Sequence, residues 1–145
     1  MKKLPPIEKV FEAWTAIADH RIKLGENSAE VSSSDGEKNY AVRFSGNQYS
    51  SDDNATYWQG YAGYPVIATL MLQGRLPLDM QEAQLWNNIN WTELNKKYKN
   101  KYAEAVESVA RQRGIDLQKS YEEAGKVMEA LQQLPLEIKR KIAVA

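Results

Sequence analysis

Asn39-Tyr40-Ala41-Val42-Arg43-Phe44-Ser45-Gly46-Asn47-Gln48-Tyr49-Ser50 is the stretch on which the fold turns. Tyr40, Val42 and Phe44 alternate with Asn39, Ala41 and Arg43, and a period of two puts each set on its own face of a strand. Ser45-Gly46-Asn47 reads as a turn, so Gln48-Tyr49-Ser50 is predicted to return as a short strand. Upstream, Ala29-Glu30-Val31-Ser32 also alternates and runs into Ser34-Asp35-Gly36-Glu37, a turn signal of the Asp-Gly type. The expectation is a small three-stranded antiparallel β-meander. It must pack on a helix, because an isolated hairpin is marginal in water.

That helix lies downstream. Pro65 is predicted to open it, Val66-Ile67-Ala68-Thr69-Leu70-Met71-Leu72 to form it and Gly74 to close it. It is apolar nearly all round, which marks a central core helix. Before it come a polar loop, Ser50-Ser51-Asp52-Asp53-Asn54, and an aromatic loop, Tyr57-Trp58-Gln59-Gly60-Tyr61-Ala62-Gly63-Tyr64. The adjacent carboxylates Asp52 and Asp53 are read as part of a solvated loop that caps a helix start. A calcium loop has more oxygen ligands at defined spacing.

On the N-terminal side, Ile7, Val10, Phe11, Trp14, Ile17, Ala18 and Ile22 recur at three- and four-residue steps. They predict a helix from about Pro6 to Leu24, with Gly25 as its stop. His20, the single histidine, is read as a surface or capping residue. On the C-terminal side, Asp79 with Glu82 resembles a capping box before a short helix reaching Leu85 and Trp86. Asn90 with Glu93 opens a longer helix ending at Gly114, and Asp116 caps another that Pro135 breaks. Leu136 to Ile142 is predicted as a last helical piece, and the two helices meeting at Gly114 as an antiparallel hairpin. The fold class is therefore α+β, one domain over residues 1–145, with residues 79–143 as its helical C-terminal part.

Composition narrows the chemistry. The chain has 145 residues, 19 Lys and Arg against 19 Asp and Glu, and no cysteine. Disulfides, thiolate metal sites and thiol nucleophiles are excluded. Zero net charge argues against a generic nucleic-acid binder, which neutralises phosphates with a basic surface. Local clusters do occur, at Lys96, Lys97, Lys99 and Lys101 and at Lys139, Arg140 and Lys141, and both read first as solvated helix faces. Neither an apolar run of signal-peptide type nor a membrane-spanning one is present, so a cytoplasmic protein with no membrane contact is expected.

Residues from about Asn27 to Gly74 resemble the SWIM zinc-finger family. Tyr40-Ala41-Val42-Arg43-Phe44 matches the usual strand of that family. Ser51-x-Asp53 stands where its Cys-x-Cys would be, and Gly63-Tyr64-Pro65 where its Cys-x-His would be. Val66-Ile67-Ala68-Thr69-Leu70-Met71 matches the helix that follows. All four ligand positions differ, so the zinc is not carried over. What the resemblance implies is a metal-free module over residues 27–74. In it, Tyr57, Trp58, Tyr61 and Tyr64 are expected to act as a substitute core that pins the loop to the helix.

Catalytic motifs are absent: there is no G-x-S-x-G, no G-x-x-x-x-G-K-[ST] and no H-E-x-x-H. With one histidine and no cysteine the common nucleophile and base pairs are hard to build. The expectation is a non-enzymatic binding domain without a cofactor. Its protein or peptide partner would be recognised at Tyr57, Trp58, Tyr61 and Tyr64. The alternatives are nucleic-acid binding through Lys96, Lys97, Lys99 and Lys101 with the loop aromatics, and a homodimer formed by the C-terminal helices. Trp86 and Trp91 are read as core, with extension of an aromatic surface as the lesser reading.

Overall fold

The computed structural model describes residues 3–142. Residues 1, 2 and 143–145 lie outside it, and with them the ends of the domain expected over 1–145 and of the helical part expected over 79–143.

The first helix, α1 (Glu8–Ala18), stops well before Gly25. The His20 amide donates to the Ile17 carbonyl at 3.1 Å and the Arg21 amide to that of Ala16 at 2.9 Å. This is a Schellman closure, with His20 at φ 55° in the left-handed position glycine usually takes. The chain released there becomes a strand, β1 (Ile22–Leu24), so Ile22 belongs to the sheet rather than to the helix face predicted for it.

Three further strands follow: β2 (Ser28–Ser32), β3 (Asn39–Ser45) and β4 (Gln48–Ser51). They are the predicted meander, with Ala29 opposite Val42 and Phe44 opposite Tyr49. The sheet is nevertheless five-stranded, in the order β1-β2-β3-β4-β5. β5 (Glu137–Ile138) lies parallel to β4 where a last helical piece was expected. Pro135 and the extended Leu134 end the preceding helix, and Leu136 inserts into the core at 2% exposure, leaving Glu137 and Ile138 to pair with Gln48 and Tyr49.

The polar and aromatic loops are replaced by a short helix, α2 (Asn54–Gln59). Asp53 is its N-cap and accepts from the Thr56 amide at 3.0 Å. Gly60 ends it at φ 72°. Next comes α3 (Tyr64–Leu72), with Pro65 in its first turn and every residue from Pro65 to Met71 buried. It packs on α1 and on β1, β3 and β4, as a central helix should.

The C-terminal part holds α4 (Met80–Leu85), α5 (Trp91–Lys97), α6 (Tyr102–Arg113) and α7 (Leu117–Gln133). The caps expected at Asp79, Asn90 and Asp116 all form. The single long helix from Asn90 to Gly114 does not. Lys99 at φ 53° and Asn100 at φ 63° break it, the Asn100 amide reaching the Asn95 carbonyl at 2.7 Å. α6 and α7 turn at Gly114, yet each leans on α1 more than on the other.

α1 is thus the most enclosed element, with all residues from Lys9 to Ala18 buried. Phe11 sits at the centre of an aromatic cluster, edge-on to Trp86 at 4.7 Å, Trp14 at 5.0 Å and Tyr121 at 5.1 Å. Trp91 donates from Nε1 to the Thr15 hydroxyl at 2.8 Å, and Thr15 donates to the Trp86 carbonyl at 2.6 Å. Trp86 and Trp91 are therefore core. Among the described residues, no helix is long and apolar enough to cross a membrane.

Candidate functional site

Two places combine unusual chemistry with access to solvent. The first is a polar cavity of about 160 Å³ where α1, the β2–β3 turn, α2 and α5 meet. Because α1 is enclosed on all sides, its charged residues cannot reach water freely. Lys9 and Glu12, one helical turn apart, answer this with an ion pair at 3.1 Å. Asn95 of α5 approaches the other Glu12 oxygen at 3.4 Å. Burial pushes the Glu12 carboxyl above its ordinary value, and the Lys9 charge only partly opposes it. Burial alone would depress the Lys9 ammonium. The Glu12 carboxylate and the nearby Tyr102 outweigh it and hold the pKa above the ordinary 10.5.

Asp53 and Arg21 complete the cavity. Asp53 is 4% exposed. Its Oδ2 caps α2, while its Oδ1 is buried without a hydrogen bond. Arg21 donates from Nη1 to the Ser32 carbonyl, yet its Nε and Nη2 are buried and have no hydrogen-bond partner. Asp19 stands 3.7 Å from Nε, beyond hydrogen-bond range. Tyr40 and Tyr64 line the wall edge-on to each other at 6.3 Å, and burial raises both phenols.

The second place is the outer face of α2. Trp58 is 64% exposed, the most exposed of the large hydrophobic side chains among the described residues. Tyr57 meets it edge-on at 4.8 Å, and the Arg140 guanidinium lies 5.2 Å from both rings. Beside them a shallow groove of about 340 Å³ runs along β3 and β4, with Arg43, Tyr57, Arg140 and Lys141 on its walls.

The aromatic segment is therefore divided. Tyr61 is 8% exposed and Tyr64 half-buried, whereas Tyr57 is half-buried and Trp58 open. Polar contacts also tie the segment to α3. Asp53 accepts from the Thr56 amide, and the Thr56 hydroxyl accepts from the Gly63 amide at 3.0 Å. Asp52 serves separately, accepting from the Ala41 amide at 2.9 Å. Lys96, Lys97, Lys99 and Lys101 are all exposed at the α5–α6 corner. Among the described residues, none of the four stacks on Tyr57 or Trp58, and Lys97 lies over Tyr98 instead. No group of three or more His, Asp or Glu able to hold a metal is found among the described residues.

Sequence reasoning missed Lys9, Glu12 and Arg21. A signal for the first two was present: the small residues Ala13 and Ala16 on the face away from Phe11 mark a helix buried all round, which forces neighbouring charges inside. For Arg21 no sequence signal exists, since its position follows from the left-handed turn at His20.

The family described as uncharacterised conserved protein UCP014422 matches residues 2–137, and the chain belongs to it. No curated protein and no solved structure matches the chain.

Proposed function

We propose that this member of the UCP014422 family is a non-enzymatic binding domain that recognises an acidic peptide segment of a protein partner at the outer face of α2. The observation that carries the reading is Trp58, held open to solvent between Tyr57 and Arg140. Tryptophan, tyrosine and arginine are the residues that most often anchor interfaces. The groove beside them presents Arg43, Arg140 and Lys141 against one exposed carboxylate, Asp52, so a negatively charged strand complements it. Tyr61 is buried and serves the fold, and half-buried Tyr64 lines the polar cavity instead.

The test is titration of labelled Glu/Asp-rich peptides, with charge-neutral versions as controls. Acidic peptides should bind, and Trp58→Ala should weaken them at least about thirtyfold while the fold survives. Unchanged affinity in a folded Trp58→Ala protein would refute the reading.

A second reading rests on Lys96, Lys97, Lys99 and Lys101, which are exposed and form no ion pair among the described residues. Nucleic-acid binding there would fall steeply with salt and would vanish on changing the four lysines to Gln.

A further inference from the structure

The polar cavity carries an inference independent of the aromatic surface. Two unmet needs of opposite kind are buried in its walls. Arg21 spends Nη1 on the Ser32 carbonyl and leaves Nε and Nη2 without a hydrogen bond, the Asp19 carboxylate standing 3.7 Å from Nε. Those two nitrogens form one edge of the guanidinium, the edge that takes a carboxylate in two parallel hydrogen bonds. Asp53 spends Oδ2 on the α2 cap and leaves Oδ1 without a donor. Glu12 Oε2 also faces the ion pair without a well-directed hydrogen bond. Unpaired buried polar atoms cost stability, so native proteins keep them where something else completes them.

A lone anion would complete Arg21 but add negative charge near Asp53 and Glu12. A lone cation would complete Asp53 and crowd Lys9 and Arg21. Ordered waters would meet both needs without charge, and a ligand with both signs meets them in one molecule. At about 160 Å³ the cavity has room for about five water-sized groups, the scale of a small amino acid. We propose that the cavity binds a free α-amino acid or a closely similar small zwitterion, its carboxylate on the Arg21 Nε/Nη2 edge and its ammonium on Asp53 Oδ1 beside Glu12.

The experiment is a nuclear magnetic resonance titration of the intact chain, following the indole N–H of Trp91, which lines the cavity. The probes are glycine, alanine and serine, with propionate as the carboxylate alone and ethylammonium as the cation alone. The amino acids should bind saturably, and each half-ligand at least about tenfold more weakly. Asp53→Asn keeps a good helix cap but removes the charge, and should weaken alanine by a similar factor without weakening propionate. The inference is overturned if no amino acid gives a saturable shift, as expected of a cavity that holds water only. It is equally overturned if propionate or ethylammonium binds as tightly as alanine. Both of these outcomes are read on the unmodified protein, so they hold even if the variant fails to fold.

Discussion

At the residue scale, Gly63 shows why the aromatic loop could not be understood from its aromatic content. A Cβ there would lie 2.7 Å from the Thr56 hydroxyl and closer still to Asp53 Oδ2, so only glycine lets the α3 N-terminus approach the α2 cap. Gly63→Ala should therefore destabilise the protein by about 1–3 kcal/mol, the usual cost of overpacking, measured as a lower urea midpoint. The aromatic rings, expected to hold this junction, share it with two hydrogen bonds through Thr56 that no spacing rule displays. Glu12 belongs to the same scale. Its carboxyl is raised above the ordinary 4.5 by burial, so between 4.5 and its folded value the native state holds a proton that the unfolded chain has lost. Its contribution to stability is therefore greatest at low pH and falls as pH rises through that window. Urea unfolding at a series of pH values should show this fall in the wild type relative to Glu12→Gln, whose own curve lacks it. Parallel curves for the two proteins would remove the buried-carboxylate account.

At the element scale, the parts readable from sequence were those fixed by local chemistry. The alternation around Val42, the apolar run from Val66 to Met71 and the caps at Asp79, Asn90 and Asp116 all stand where their residue types place them. Two of the errors share one cause. Helices end at His20 and at Lys99 in left-handed turns, and neither is the glycine that usually announces such an end. β5 was missed for a different reason: a two-residue strand has no period of its own and exists only because β4 offers an open edge. The turn at Lys99 gives a prediction. A non-glycine residue in that conformation costs about 1–2 kcal/mol, and glycine gives back part of the gain through its greater freedom when unfolded. Lys99→Gly should stabilise the protein by about 0.5–1 kcal/mol, seen as a raised thermal midpoint. A lowered midpoint would show that the lysine side chain itself supports the corner.

At the scale of the whole molecule, α1 is the axis about which the rest is arranged. It packs on α3, on α4, and on α6 and α7. Enclosure on every side explains both the aromatic cluster around Phe11 and the polar cavity, since the same helix carries Lys9 and Glu12 to the cavity wall. The cavity was illegible in the sequence because its members come from positions 9, 12, 21, 53 and 95, brought together only by tertiary packing. The exposed aromatic surface was half legible: the sequence singled out Tyr57 and Trp58 together with Tyr61 and Tyr64, and only the structure shows Trp58 open and Tyr61 buried.

That separation also supplies the most direct test of the binding account. Of the four tryptophans, Trp14, Trp86 and Trp91 are at most 3% exposed and Trp58 is 64% exposed. Titrating an acidic peptide into the labelled protein should move the indole N–H resonance of Trp58 to saturation and leave those of the other three in place. Saturable peptide binding with a stationary Trp58 resonance, or no binding by any acidic peptide, would contradict it.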